Sequence, residues 1–444
     1  MSTVRAGPLV VRGGTLLPMA DGPTAVRGDV LIQGRQIAQV GQVTVPSGAE
    51  VIDASGCYVM PGLVQVHVHL VQTIFRGLAE DLSLLDWLST RVWPLEAAHD
   101  EASLRASVRL GIGELLLTGT TTVLDMGTTH DGDVVFDELV RSGIRARAGQ
   151  AMMDSGDGVP PRLRETTRGS LDAAAALIKR WHGHDRGRIQ YAYAPRFALT
   201  ATRELLEAVA TLSKIDGHLV HTHSNENLAE GALIERATGS EPIAYLEQTG
   251  IASERAVIAH AVHLSDDEAR ILRASGAKVA HCPSSNLKLA SGIADVVGLR
   301  TAGVPVGIGA DGGACNNRLD GFEELRLAAL LARTQHGPNA LSAFDALRMG
   351  TIDGARVLHA DSEIGTIAVD KRADLVVLDS GRLAPGGDPA TRIVFGGGSR
   401  AVRDVIVDGQ VLVRDGALTR MDAEGVRIAA VEALPAIISR AGLR

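Results

Sequence analysis

Apolar and polar positions alternate along the middle of the chain in two different rhythms. Short, nearly continuous apolar runs are typical of buried strands, and amphipathic stretches with the 3.6-residue period of helices separate them. Eight such runs end at His67, Met126, Gly149, Ala194, His221, His260, His281 and Ala310. The helical stretches include residues 102–117, 171–181, 202–212, 266–274 and 321–332. Buried strands that alternate with helices predict an α/β fold, a closed, TIM-like (β/α)8 barrel.

The two ends of the chain have a different pattern. Short strand-like segments bounded by Gly and Pro turns occur at residues 9–11, 29–40 and 51–53, and they return at residues 373–378 and 402–413. We expect the two ends to come together as a small composite β-sandwich domain. Its predicted limits are residues 1–60 and 361–444, including a C-terminal helix, and the barrel is predicted to span residues 61–360.

Polar residues with metal-binding side chains fall at the ends of the predicted barrel strands, where barrel enzymes place their chemistry. The first strand ends in His67-Val68-His69, and residues two apart on a strand point to the same face. The fifth strand ends in His221-Thr222-His223, either of whose histidines could supply a third imidazole, and Asp311 follows the eighth strand. Three imidazoles and one carboxylate suit a divalent metal and leave a position open for water.

Composition narrows the class of protein. The chain has 444 residues, of which 45% are hydrophobic and 22% charged, and its formal net charge is −8. A mildly acidic chain argues against a nucleic-acid partner. No apolar stretch is long enough to span a bilayer, and Met1 to Leu9 lacks the apolar core of a signal peptide. Because its three cysteines cannot form a disulfide framework, we expect a cytoplasmic enzyme.

Four motifs together resemble the amidohydrolase superfamily. They are Pro61 to His69, Arg76 to Leu82, His281 to Leu289 and Asp311 to Asn317. More narrowly, the chain is similar to the branch that holds S-adenosylhomocysteine, methylthioadenosine and 5′-deoxyadenosine deaminases, with guanine deaminase and triazine hydrolases as more distant relatives. The resemblance extends over nearly the full length, including the β-rich ends.

The resemblance implies a role for each motif residue. The implied metal ligands are His67, His69, His223 and Asp311. It chooses His223 over His221 because Glu226 follows His223 at the His-x-x-Glu spacing. The implied proton carriers are Glu226 and Asp311, and His260 would contact the attacking water. The fourth strand lacks the lysine that bridges two metals in binuclear members, so we expect one divalent ion, Zn²⁺ before Fe²⁺.

The substrate is the least determined part of the prediction. Glu96 occupies the place where nucleoside deaminases of this branch bind ribose hydroxyls, since a carboxylate accepts from a vicinal diol. Arg196 could bind a purine ring or act as a salt-bridge partner, and Trp87 and Arg162 are further candidates. We expect a small-molecule substrate, a 6-aminopurine nucleoside modified at the 5′ position. Guanine, a pterin or an s-triazine are alternatives, as is an inactive scaffold, and a homo-oligomer is compatible with the sequence.

Overall fold

The structure is a computed structural model that describes residues 7–20, 22 and 24–443. Residues 1–6, with which the predicted terminal domain and the segment tested for a signal peptide begin, lie outside the described residues. The described strands are β1 (Leu9–Leu16), β2 (Val26–Gln33), β3 (Gln36–Gly41), β4 (Glu50–Asp53), β5 (Cys57–Pro61), β6 (Leu63–His69), β7 (Thr120–Met126), β8 (Arg145–Gly149), β9 (Ala151–Met152), β10 (Ile189–Pro195), β11 (Leu219–Ser224), β12 (Ala256–His260), β13 (Lys278–His281), β14 (Val306–Ile308), β15 (Asp311–Gly312), β16 (Leu375–Asp379), β17 (Val402–Val407), β18 (Gln410–Arg414) and β19 (Ala417–Leu418).

Helices connect most of the barrel strands. The described helices are α1 (Leu84–Trp87), α2 (Trp93–Ala97), α3 (Glu101–Leu117), α4 (Gly132–Ser142), α5 (Thr167–Trp181), α6 (His184–Gly187), α7 (Arg203–Asp216), α8 (Leu228–Thr238), α9 (Pro242–Gln248), α10 (Asp266–Ser275), α11 (Pro283–Lys288), α12 (Val296–Thr301), α13 (Gly313–Asn316), α14 (Gly321–His336), α15 (Ala343–Met349), α16 (Ile352–Val357), α17 (Pro389–Gly396) and α18 (Ala423–Arg440). A π-helical turn at Leu88–Val92 joins α1 to α2. All five helical stretches predicted from the sequence correspond to helices of the structure.

Eight parallel strands close into a barrel. Their order around it is β6, β7, β8, β10, β11, β12, β13 and β14, and β14 pairs with β6 to complete the circle. Small and branched apolar side chains fill one core cluster of these strands, among them Val64, Val66, Leu124, Ala192 and Val257. The predicted (β/α)8 fold with an additional sheet domain is therefore confirmed, because the pairing of β14 with β6 closes the ring of eight strands.

The second sheet joins both ends of the chain. Its order is β19-β18-β17-β16-β5-β1-β2-β3, with β4 paired to β1. The strands predicted at residues 29–40 and 402–413 are each two strands, because hairpin turns divide them at Gly34-Arg35 and at Asp408-Gly409. Asp408 and Gly409 have positive φ angles of 53° and 75°, as tight hairpins require. The limits of the two domains remain a prediction.

Buried ion pairs join this second sheet to the base of the barrel, at the amino-terminal ends of the barrel strands. Arg145, the first residue of β8, donates to Asp374 at 2.7 and 3.0 Å and to Asp408 at 2.9 Å. Arg35 donates to the other oxygen of Asp408 at 2.7 Å and to Asp185 at 2.7 Å. Among the described residues, no helix combines the length and the apolar character that crossing a membrane demands.

Candidate metal centre and active site

Four side chains from two barrel strands and the short β15 meet at the carboxyl end of the barrel. His67 and His69 lie on β6, His223 on β11, and Asp311 on the short β15 that pairs with β6. One ligand atom from each residue lies within 4.8 Å of the others, so these groups could hold a metal ion. The Nε2 atoms of His67 and His69 lie 3.2 and 3.5 Å from Asp311 Oδ1.

The tautomers of two of these histidines follow from their backbone contacts. His69 Nδ1 donates to the carbonyl oxygen of Met126 at 2.9 Å, and His223 Nδ1 donates to that of Arg196 at 2.7 Å. Each Nε2 atom therefore carries a lone pair, and these two nitrogens face each other at 3.2 Å. Two imidazole nitrogens on one tetrahedral zinc ion lie about 3.3 Å apart, given Zn–N bonds of about 2.0–2.1 Å. The geometry fits a shared cation.

His67 presents its Nε2 atom to the same point. Its Nδ1 atom shares a 2.6 Å hydrogen bond with His221 Nε2, and its Nε2 atom is buried without a hydrogen-bond partner among the described residues. His221 thus lies behind His67, whereas His223 lies with the other three groups. This placement separates the two histidines that strand alternation alone left equivalent.

The electrostatic environment of the cluster sets the protonation states of its side chains. Burial lowers the pKa of His67 and lowers that of His69 to about 3, so both imidazoles are neutral. Burial by itself would raise the pKa of Asp311, but His67, His260 and His69 outweigh it and hold that pKa well below its usual value. Neutral imidazoles beside an ionised carboxylate are the protonation states that a divalent metal needs.

Two acid–base groups stand beside this cluster. His260 Nε2 lies 3.3 Å from Glu226 Oε2 and 3.8 Å from Asp311 Oδ2. Burial, and next the charge of Asp311, raise the pKa of Glu226 well above its usual value. Glu226 therefore holds its proton to a higher pH than an ordinary glutamate does, which is the property of a general acid.

The backbone is strained where these residues leave their strands. His260 has a φ of 77° and Asp311 a φ of 61°, in the left-handed region that residues with a Cβ rarely adopt. Such conformations persist only where surrounding contacts hold them, and they cluster at functional sites. Here they turn the His260 and Asp311 side chains into the same small volume.

Several residues around the site were not identified from the sequence. Ser285 Oγ donates to Asp311 Oδ2 at 2.6 Å, and Asn286 Oδ1 accepts from His260 Nδ1 at 2.8 Å. Both lie in the motif from His281 to Leu289, which carried the family resemblance but gave no role to either residue. Glu230 Oε2 accepts from the Glu226 backbone N–H at 2.9 Å, and its position three residues after an Asn N-cap was the available signal.

A cavity of about 400 Å³ opens from the cluster. Its lining residues are His69, Gln72, Leu84, Trp87, Leu88, Arg196, Phe197, His223, Glu226, Glu230, His260 and Asp311. Of the predicted substrate-binding residues, Trp87 and Arg196 line it. Glu96 does not line the cavity itself but contacts Gln72 and Arg196, which do. Arg162 is half-exposed and donates to the carbonyl oxygen of Ala97 at 3.0 Å.

Glu96 and Arg196 form a buried salt bridge. Arg196 donates to both oxygens of Glu96 at 2.6 and 3.2 Å, and Gln72 Nε2 donates to Glu96 Oε1 at 2.8 Å. Burial would raise the pKa of Glu96, but the charge of Arg196 prevails and lowers it. Arg196 is thus the salt-bridge partner of an ionised Glu96, one of the two roles left open for it.

Known proteins share the fold and the sequence. The family model described as "Amidohydrolase family" matches residues 58–412. A 5-methylthioadenosine/S-adenosylhomocysteine deaminase of Halobacterium salinarum is 37% identical over 94% of this chain and 96% of its own length. A 5′-deoxyadenosine deaminase of Methanothermobacter thermautotrophicus is 38% identical over 90% of this chain and 92% of its own.

A solved structure supports the same assignment. The zinc-bound adenosine deaminase from Xanthomonas campestris superposes with a TM-score of 0.90 at 30% identity, covering 97% of this chain and 98% of that one. The resemblance inferred from the four motifs is confirmed by these comparisons. The chain is a hydrolytic enzyme and belongs to the amidohydrolase family.

Proposed function

We propose that this enzyme is a metal-dependent hydrolytic deaminase that releases ammonia from 6-aminopurine nucleosides modified at the 5′ position. The observation that carries the proposal is the meeting of four ligand groups, Glu226 and His260 at one end of a 400 Å³ cavity. The relatives described as deaminases of methylthioadenosine, S-adenosylhomocysteine and 5′-deoxyadenosine support the choice of substrate class.

The proposed cofactor is one divalent ion, zinc before iron, held by His67, His69, His223 and Asp311. The facing lone pairs of His69 and His223 and the unpartnered Nε2 atom of His67 support this ligand set. Zinc is preferred because the neighbouring structure from Xanthomonas campestris contains it. When bound, such an ion supplies Lewis-acid activation of water near neutral pH.

The residues around the site would then move the protons. Asp311 accepts a proton as water adds to the purine carbon that bears the amino group. Glu226, whose pKa is raised, donates a proton to the adjacent ring nitrogen. His260, between Glu226 and Asp311, stabilises the charge that develops on the attacking oxygen. The ionised Glu226 then takes the proton of the new hydroxyl group, the amino group receives a proton from one of the two carboxyls, and the carbon–nitrogen bond breaks so that ammonia leaves and the carbonyl forms.

Glu96 is the proposed ribose-binding residue. A carboxylate can accept hydrogen bonds from both hydroxyls of a vicinal diol, and Arg196 keeps Glu96 ionised for that role. Since Arg196 and Gln72 occupy both oxygens of Glu96, the ribose would add to these contacts or exchange with one of them. Trp87 would pack on the base or sugar, and Arg162 would lie near the 5′ substituent.

The test measures ammonia release from purified, zinc-loaded enzyme. Adenosine, 5′-deoxyadenosine, methylthioadenosine, S-adenosylhomocysteine, guanine and an s-triazine are the substrates. We expect the 5′-modified nucleosides to give the highest kcat/KM and the 2′-deoxy analogue of the best one to lose at least about tenfold, because Glu96 would remain partly unpaired. In Glu96→Gln this discrimination should shrink, whereas in the partly exposed Glu80→Gln control it should persist.

Two results would contradict the proposal. If guanine or the triazine is hydrolysed and every adenosine derivative is ignored, the substrate class is wrong and Arg196 becomes the leading specificity residue. If the zinc-loaded protein releases ammonia from none of these compounds, the scaffold alternative gains support. Size-exclusion chromatography of the same preparation tests whether the enzyme is a monomer or a homo-oligomer.

A further inference from the structure

A second polar cleft lies at the base of the barrel, at the opposite end from the histidine cluster. Its polar lining residues are Thr122, Arg145, Arg147, Arg188, Gln190 and Glu363. Three arginines around a small space make this cleft rich in hydrogen-bond donors, and the deaminase proposal assigns it no role.

Two of the three arginines are fully engaged by the protein. Arg145 pairs with Asp374 and Asp408. Arg188 pairs with Asp185 at 2.8 Å and donates to the carbonyl oxygens of Leu139, Ile144 and Val140. Their charges are therefore balanced within the protein.

Arg147 differs from these neighbours. It lies in the middle of β8, opposite Leu124 of β7 and Gln190 of β10, and among the described residues its guanidinium has neither a hydrogen bond nor an ion pair. Burial lowers its pKa to about 10, so it stays protonated at neutral pH. Arg147 is partly exposed, so its guanidinium presents to the cleft donors that no acceptor of the described residues engages.

A second donor in the same cleft also lacks a partner. Thr122 Oγ1 is buried, the residue is 2% exposed, and within the described part of the chain this hydroxyl makes no hydrogen bond. Thr122 pairs with Arg145 in the strand register, so its side chain lies beside the β8 arginines. Buried hydroxyls nearly always have a partner, so this one marks a place where an acceptor fits.

The acidic residues that the structure describes near the cleft do not accept hydrogen bonds from Arg147 or Thr122. Asp374 and Asp408 are bound to Arg145 and Arg35. Glu363, the acidic residue of the lining, is half-exposed and accepts a hydrogen bond from Arg372 Nε at 3.1 Å. It makes no hydrogen bond or ion pair with Arg147, and its charge only raises the pKa of that guanidinium from a distance. The neighbouring charges of Arg145 and Arg255 oppose it. A donor pair therefore faces the cleft without an acceptor from the protein.

We propose that this cleft is a binding site for a small oxyanion, a carboxylate or a phosphate, with Arg147 and Thr122 as its main contacts. The planar guanidinium can donate two parallel hydrogen bonds to two oxygens of such an anion, and the threonine hydroxyl supplies a third donor. The site lies at the opposite face of the barrel from the metal-binding residues, and its occupancy stabilises the fold instead of taking part in hydrolysis.

Thermal unfolding of the zinc-loaded enzyme tests this site without an activity assay. Sodium phosphate and sodium acetate are titrated separately against sodium chloride at matched ionic strength and pH. Saturation of the site by either anion should raise Tm by about 2–4 °C above chloride, because a ligand that binds only the folded state stabilises it. A shift with phosphate alone identifies a phosphate site, and a shift with acetate identifies a carboxylate site.

Three variants localise the effect. Arg147→Met should lose the anion-dependent shift and, in chloride, should unfold at about the same temperature as the wild type, since the guanidinium has no partner among the described residues to lose. Thr122→Val should weaken the shift while it preserves the packing, and it decides the question if Arg147→Met does not fold. Arg168→Met, at a residue whose side chain is 89% exposed, should keep the full shift. The proposal fails if the wild type shows no anion-specific shift, or if Arg147→Met or Thr122→Val retains all of it.

Discussion

The two ends of the barrel use ionisable residues in opposite ways. At the base, Arg35 and Arg145 pair with Asp374 and Asp408 at 2.7–3.0 Å, and these buried charges satisfy each other. At the carboxyl end, His67 Nε2, Glu226 Oε1 and His260 Nε2 are buried without hydrogen-bond partners among the described residues. Both ends are equally buried, so burial alone does not distinguish a structural charge from a functional one.

Pairing within the protein is what separates this ion-pair network from the histidine cluster. Where arginines and aspartates pair with one another, the network holds the second sheet against the barrel. Where polar atoms converge on a cavity and leave one another unpaired, they are available to a metal or a substrate. Substitutions at one end of the barrel at a time test this difference.

Loss of the proton carried by Glu226 should have the largest effect. Glu226→Gln retains the shape of the side chain but cannot donate and accept the proton, so kcat should fall by about 10²–10⁴-fold. Zinc content and Tm should change little, because the side chain lies outside the group of four ligand residues. The measurements are steady-state kinetics, elemental analysis and thermal unfolding.

Glu235→Gln is the matched control for that experiment. Glu235 is exposed on α8, the helix that follows Glu226, and its substitution should leave kcat unchanged. Near-normal turnover in Glu226→Gln would show that another group carries the proton.

Asp408→Asn should break the base of the barrel and spare the chemistry. Asn tolerates the positive φ of this turn, but Arg35 and Arg145 lose their shared counter-charge. Breaking a buried ion pair typically costs about 3–5 kcal/mol, so denaturant unfolding should show a loss of that order, while kcat of the folded fraction stays unchanged.

Asp415→Asn provides the comparison for Asp408→Asn. Asp415 also precedes a glycine in a hairpin turn and has a positive φ of 50°, but it is exposed. Its substitution should change stability by less than about 0.5 kcal/mol. Equal effects of the two substitutions would mean that the turn, and not the ion-pair network, determines the result.

The contrast between the ends also explains what the sequence could predict. The ligand residues at the carboxyl end could be predicted because they follow apolar strand runs and a barrel brings all strand ends to one face. They are His67, His69, His223 and Asp311. The pairing of Glu96 with Arg196 could not be predicted, because these residues lie far apart in the sequence and only the closed barrel brings them together.

The base of the barrel was less predictable for a related reason. Its ion pairs join β8 to loops of the second sheet, and no periodicity relates Arg145 to Asp374 or Asp408. Two hairpins were also predicted as single strands. The Asp408-Gly409 pair is a strong hairpin signal that the apolar pattern on both sides concealed.

Glu324 links the free energy of unfolding to pH. It is a buried acid at the carboxyl end that accepts hydrogen bonds from Ser284 and Asn316, and among the described residues it has no cationic partner. Burial, as the main cause, raises its pKa to about 7. A raised carboxyl pKa contributes stability that is present below the ordinary value near 4.5 and is lost as pH rises through about 7.

Glu324→Gln should therefore flatten the pH profile of stability. The difference in unfolding free energy between the wild type and the variant should fall by up to about 3 kcal/mol from pH 4.5 to pH 8, because one pKa unit corresponds to about 1.4 kcal/mol. Glu323→Gln, at the partly exposed neighbour that pairs with Arg318, should leave the profile unchanged. A difference that stays constant with pH would rule out Glu324 as a titrating group.

His221 gives the smallest and most specific prediction. It touches His67 Nδ1 at 2.6 Å and lies outside the group of four ligand residues, so it should orient His67 without binding the metal. Loss of such an orienting partner typically costs about 10–100-fold in metal affinity. His221→Ala should therefore weaken zinc binding by that factor in a chelator competition, whereas His223→Ala should no longer bind zinc stoichiometrically. His218→Ala, at the residue just before β11 and away from its carboxyl end, should bind zinc as the wild type does. If His221→Ala loses zinc entirely and His223→Ala is only weakened, the roles of the two histidines, which share one face of β11, are reversed.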